Sequence, residues 1–137
     1  MNIGNQYQRF FRLKNGHRAE VREVAVEREE VAAVSALVQH NFEHHPSYAK
    51  LSSRAKQELI KCNDIEGVKG TCSHKDNILA RNIRVNGEVV GYCVLRAKPD
   101  KGLTEIRRLH VAMGYERLGI GSFLLDDVKN GDSESWL

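Results

Sequence analysis

Ile78, Leu79, Ile83 and Val85 run into Asn86-Gly87, and Val89, Val90, Tyr92, Val94 and Leu95 run out of it. No other stretch restricts the fold as strongly. Asn-Gly supplies the two positive φ angles of a type I′ turn, whose twist matches that of the strands it joins, so the segment predicts an antiparallel hairpin. Pro99-Asp100-Lys101-Gly102 places proline and glycine where a second turn uses them, and Thr104 to Val111 reads as a third strand. The outcome is a three-stranded meander.

Helical periodicity brackets this meander. From Glu27 to about Phe42, the residues Val31, Val34, Leu37, Val38 and Phe42 fall on one face. Glu27, Glu29 and Glu30 sit in the first turn, where acids suit the positive end of the helix dipole, and Pro46 stops the helix shortly after His44 and His45. Leu51, Ala55, Leu59 and Ile60 outline a second helix, with Ser52 and Ser53 as its start and Cys62-Asn63-Asp64 as its end. Asp64 to Asp76, with two glycines and no period, reads as an irregular connection. Beyond the third strand, Ile120, Phe123, Leu124 and Val128 share a helical face that Asn130-Gly131 closes. The order is strand, helices, three strands, helix. Without an internal repeat, low-complexity tract or linker, residues 1–137 form a single α+β domain.

At 137 residues and 41% apolar, the chain can hide roughly two-thirds of its unfolded surface, enough for a core without disulfides or metal. No run approaches the roughly 20 apolar residues of a bilayer crossing, so no membrane association is expected. A net charge of +3 with mixed signs does not announce a nucleic-acid binder. Cys62, Cys72 and Cys93 cannot all pair within one chain, and their spacing fits no disulfide framework, so a reducing, cytoplasmic setting is the default. The first nineteen residues carry Arg9, Arg12, Lys14 and Arg18 without an acid, a composition shared by mitochondrial targeting segments and basic strands. Phe10, Phe11 and Leu13 lead into Asn15-Gly16, and Val21, Val24 and Val26 follow, which favours an added strand joined through a second type I′ turn.

Metal chemistry finds little support. His40 and His44 stand four apart with His45 alongside, but no HExxH motif or placed carboxylate accompanies them. Cys62, Cys72 and His74 lack a C-x-x-C pair, and Cys93 alternates within a strand as a small apolar residue. No metal site is expected.

Chemistry concentrates between Leu109 and Ser122, where a strand end, a glycine-containing loop and a helix start follow one another. The first amides of a helix lack internal partners and its dipole is positive there, while Gly119 and Gly121 remove side chains that would hold a phosphate away. Two readings stay open on these residues alone: anion binding, or a tight strand-to-helix turn.

In its order of elements the segment resembles the acetyl-coenzyme A motif of the GNAT superfamily of N-acetyltransferases, V-x-P-x-x-R-x-x-G-x-G, and the likeness covers most of the chain. Val111, Gly119 and Gly121 match; Met113 stands at the proline position and Glu116 at the usual Arg or Gln position, with Arg117 next door as a candidate substitute. The resemblance implies a mixed or antiparallel central sheet flanked by helices. Val21 to Val26 takes the place of the first strand, the two helices to Ile60 that of the acceptor-side pair, and residues 104–130 that of the cofactor half. Residues 1–18 are then a basic extension with an extra strand, and the family's final strands are missing.

The same resemblance implies acetyl-CoA as co-substrate and a primary amine as acceptor. The backbone of Glu116, Arg117, Leu118, Gly119, Ile120, Gly121 and Ser122 would hold the diphosphate, with Leu118 and Ile120 packing into the core. Leu109, His110 and Val111 at the strand end would meet the pantetheine arm and, through an amide, the thioester oxygen. Glu105 lies fourteen residues before Gly119, where some protein-acetylating relatives carry a catalytic glutamate, and is the candidate base; a surface glutamate pairing with Arg107 or Arg108 is the alternative. The family's usual acid, a tyrosine in a helix beyond the motif, has no counterpart before Trp136-Leu137; Tyr92 and Tyr115 are the nearest tyrosines. An unfinished sheet edge also suits a homodimer. Two other functions compete: a catalytically silent acyl-CoA-binding or protein-interaction module with the same fold, and a basic hairpin that docks on nucleic acid or an acidic protein.

Overall fold

A computed structural model describes residues 8–75 and 77–131. Strands β1 (Gln8–Arg12), β2 (Arg18–Glu23), β3 (Asn77–Val85), β4 (Glu88–Lys98) and β5 (Leu103–Val111) form one sheet in that order, antiparallel at every step. Helices α1 (Arg28–His44), α2 (Ser53–Cys62) and α3 (Ile65–Ser73) are inserted between β2 and β3, and α4 (Ile120–Gly131) follows β5. No helix of the described residues is long and apolar enough to cross a membrane. Residues 1–7, Asp76 and Trp136-Leu137, for which the sequence raises expectations, lie outside the described residues, as do the side chains of Ile78 and Val128.

The two Asn-Gly turns differ. Asn86 and Gly87 take φ of 52° and 81°, the paired positive values of the expected type I′ turn. At the first hairpin only Gly16 is positive, at 90°. There Gly16 N–H donates to Leu13 O and Leu13 N–H to His17 O, both at 2.9 Å, giving a three-residue loop with a left-handed glycine in place of the expected type I′ turn. Leu13, at the base of this loop, is buried in the core.

The sheet is covered on both faces, and β4, central and buried, alternates between them. Cys93 and Leu95 join Leu13, Val21, Ile83, Ile120 and Leu124 on the α4 face. Tyr92 and Val94 join Val31, Val34, Val38, Phe42 and Val68 on the face of α1 and α3. Phe11 of the added strand stacks on Phe123 of α4 with ring centroids 3.6 Å apart, so β1 buttresses that helix. Glu30, expected as a dipole-matching acid, is instead buried, where it accepts from Ala25 N–H at 2.9 Å and pairs with Arg22 and Arg84 of the sheet.

Residues 65–73 correct the sequence reading, because the expected irregular connection is the helix α3. Asp64 caps it, accepting from Gly67 N–H at 2.8 Å, and Val68 is fully buried against α1. Gly67 weakens the helical signal, yet no other residue fits: a Cβ there would lie 2.0 Å from the carbonyl oxygen of Cys62. The glycine that hid the helix is required by the close passage of α2.

Candidate functional site

The loop between β5 and α4 ends in an open backbone cradle. Gly119 caps α4 at φ 94°, accepting from Phe123 N–H at 2.9 Å, which leaves the amides of Ile120, Gly121 and Ser122 without partners inside the helix. No atom lies within 4 Å of where a Cβ on Gly121 would stand. The cradle opens into a cleft of ≈ 310 Å³ that also takes in Tyr115, Glu116, Arg117 and Lys14. Arg117 has φ 65°, a left-handed angle uncommon for a side-chain-bearing residue. Ile120 is buried and Leu118 packs against the same core, so the alternating residues of the loop anchor it while the glycines stay open.

Lys14 was not among the sequence candidates. Its N–H donates to Leu118 O at 3.2 Å, and its Cε lies 3.8 Å from where a Cβ on Gly119 would be, so the β1–β2 loop brings a cation to the cradle. The sequence signal was the basic first segment, whose destination cannot be read locally. Were the cradle to hold the diphosphate of CoA, Lys14→Ala would weaken that binding by about fivefold at low salt, with a smaller effect at high salt because exposed charges are screened. Calorimetric titration at two ionic strengths checks this.

Along β5, backbone groups alternate in direction. Ala112 N–H donates to Val90 O at 2.9 Å, toward β4, whereas Val111 O accepts from Asn41 Nδ2 at 3.0 Å on the other side. By that alternation the amides of Leu109 and Val111 face the outer edge of β5, the last strand in the sheet order. Asn41, also missed in the sequence, is buried and occupies Val111 O, leaving the Val111 amide and both Leu109 groups facing outward.

His110 turns the opposite way, into the α1 face, with Phe42 edge-on at 5.5 Å and Tyr92 stacked at 6.4 Å. Burial, aided by Arg108, pushes its pKa down to about 4, so the ring is neutral at pH 7. Burial likewise raises the Cys93 thiol to about 11 and raises Tyr92 further still, which makes neither a ready nucleophile or acid.

Glu116 stands between the cleft of the cradle and a second cleft of ≈ 180 Å³ lined by Asn41, His45, Tyr48 and Leu109. Ser47 N–H donates to His45 Nδ1 at 3.0 Å, so the proton sits on His45 Nε2, which donates to Glu116 Oε2 at 2.7 Å. The glutamate therefore ties the loop to the end of α1. Glu105 lies six residues before Val111 on β5, directly opposite Arg96. His40 and His44 lie with ring centroids 4.6 Å apart, and no group of three or more His, Cys, Asp or Glu among the described residues could hold a metal.

An antiparallel sheet with helices on both faces thus sets a glycine-edged helix start beside the end of an edge strand. A profile of the acetyltransferase (GNAT) family matches residues 37–130, and the chain belongs to that family. A search of curated proteins found no match. Among solved structures, the PaiA N-acetyltransferase of Thermoplasma acidophilum, in complex with coenzyme A, is similar at TM-score 0.69 and 14% identity over 85% of this chain and 73% of that one. The GNAT domain of S. lividans PAT is similar at 0.61 and 16%, over 95% and 74%. Ribosomal-protein-alanine N-acetyltransferase from Brucella melitensis biovar Abortus is similar at 0.56 and 17%, over 85% and 72%. At such identities the likeness concerns the fold.

Proposed function

We propose that the protein is an N-acetyltransferase that moves the acetyl group of acetyl-CoA to a primary amine. The carrying observation is the open cradle at Gly119 and Gly121 with Lys14 across it, a form suited to a diphosphate. Ile120, Gly121 and Ser122 amides would hold the phosphates, and the outward groups of Leu109 and Val111 would pair with the pantetheine arm as another strand does. Bound acetyl-CoA supplies an activated acyl group, whose C–S bond breaks as the C–N bond forms. In this reading the Leu109 amide would stabilise charge on the carbonyl oxygen, and Glu105 would take the amine proton. Three free thiols, at Cys62, Cys72 and Cys93, support a reducing compartment such as the cytoplasm.

The test is acetyl-CoA-dependent thiol release across a panel of amines. Glu105→Gln should lower kcat by about 100-fold while leaving the CoA Kd unchanged. Tight CoA binding with no turnover on any amine would favour the silent module instead, and unchanged kcat in the variant would remove Glu105 from the chemistry.

A further inference from the structure

Two consecutive arginines of β5 enter one cleft. Neighbours in a regular strand alternate faces, but Arg108 stands opposite Val94 and Ile106 opposite Leu95, so Arg107 is the extra residue of a bulge. Such a bulge re-aims a side chain, and Arg107 and Arg108 both line a cleft of ≈ 360 Å³ together with Arg96 of β4 and His74 at the end of α3. Gly67, Gly70 and Thr71 form the wall on the α3 side. Glu105, opposite Arg96, shares that face of the sheet. Three arginines thus line one cleft, with Glu105 paired in register with Arg96 and Leu109 following Arg108 in the strand.

We infer that this cleft binds an anionic group of the acceptor, so that the substrate is an amine carrying a carboxylate or phosphate close to its nitrogen. The inference rests on the amine-acetyltransferase reading. Guanidinium forks bind carboxylate and phosphate through paired N–H groups, which a neutral amine cannot engage. With its anion on Arg107 and Arg108, such an acceptor turns its nitrogen toward Glu105 and the outer edge at Leu109. The two arginines then act as specificity-determining residues.

Matched amines test this: phosphoethanolamine against ethanolamine, glutamate against glutamine, and peptides with aspartate against asparagine beside the amine. The charged member of a pair should show kcat/KM about tenfold higher or more, and the Arg107→Gln, Arg108→Gln double variant should bring that ratio close to one with CoA affinity unchanged. Preference among peptides alone assigns the anion to a protein acceptor, and preference among small amines alone to a free metabolite. Equal use of both members, or a ratio that survives in the double variant, overturns the inference. Binding of phosphoethanolamine and glutamate, measured calorimetrically with and without saturating CoA, separates this from the cofactor reading. If CoA fails to bind while the double variant weakens the anions about tenfold, the acetyltransferase reading falls and the cleft stands. Should neither anion bind, should CoA displace them, or should the double variant bind them as well as the parent, the cleft is not an acceptor site.

Discussion

Gly121→Asp should raise the melting temperature slightly and weaken CoA binding by about 100-fold, close to 2.7 kcal/mol. The two effects have different origins. Gly121 is the second residue of α4, nothing lies within 4 Å of its Cβ position, and its φ is not in the left-handed region, so aspartate fits without strain. An acid in the first turn contributes roughly 0.3–1 kcal/mol through the helix dipole, and the propensity of aspartate over glycine adds about 0.3 kcal/mol. The same carboxylate enters the cradle where a diphosphate would sit, and two like charges about 4 Å apart repel by roughly 4 kcal/mol at an effective dielectric of 20. Thermal melts and calorimetric titration with CoA read the two effects separately. A variant that is more stable and still binds CoA like the parent would show that the phosphates lie elsewhere.

Acidification from pH 6.5 to pH 4 should destabilise the protein by about 3 kcal/mol through His110 alone. Its pKa is lowered from 6.5 to about 4 in the folded state. Between these values the unfolded chain binds a proton that the folded chain refuses, so stability is full above pH 6.5, falls as pH drops through the window, and levels off below about 4. Burial against Phe42 and Tyr92 is the main cause, with Arg108 adding repulsion. Urea unfolding at a series of pH values, compared with His110→Gln, isolates this contribution from that of the carboxylates. If both proteins lose stability in parallel over the window, the imidazole is not desolvated.

Local chemistry in the sequence carried a good part of this molecule. Ser52 caps α2 through its hydroxyl, accepting from Ala55 N–H at 3.1 Å, and Asn86-Gly87 turns with both φ angles positive. Both are decided within four residues, so propensity suffices. The cradle glycines were legible for the same reason, since a helix start exposes its amides whatever packs around it. Helix α3 was hidden because the reason for Gly67 lies in the Cys62 carbonyl of another helix. The first hairpin departs from the expected turn: Leu13 is buried and its N–H closes a three-residue loop on His17 O, with Gly16 alone left-handed.

From its sequence alone the chain determined its strands, the helices α1, α2 and α4, the hairpin at Asn86-Gly87 and the glycine spacing at the start of α4, all set by steric and hydrogen-bonding rules that act over a few residues. Only the tertiary structure decided that Lys14 reaches Gly119, that Asn41 occupies Val111 O, that His45 holds Glu116 from 71 positions away, and that a bulge turns Arg107 and Arg108 into one cleft. These meetings depend on how buried faces of distant elements pack, and no short window of residues contains that information.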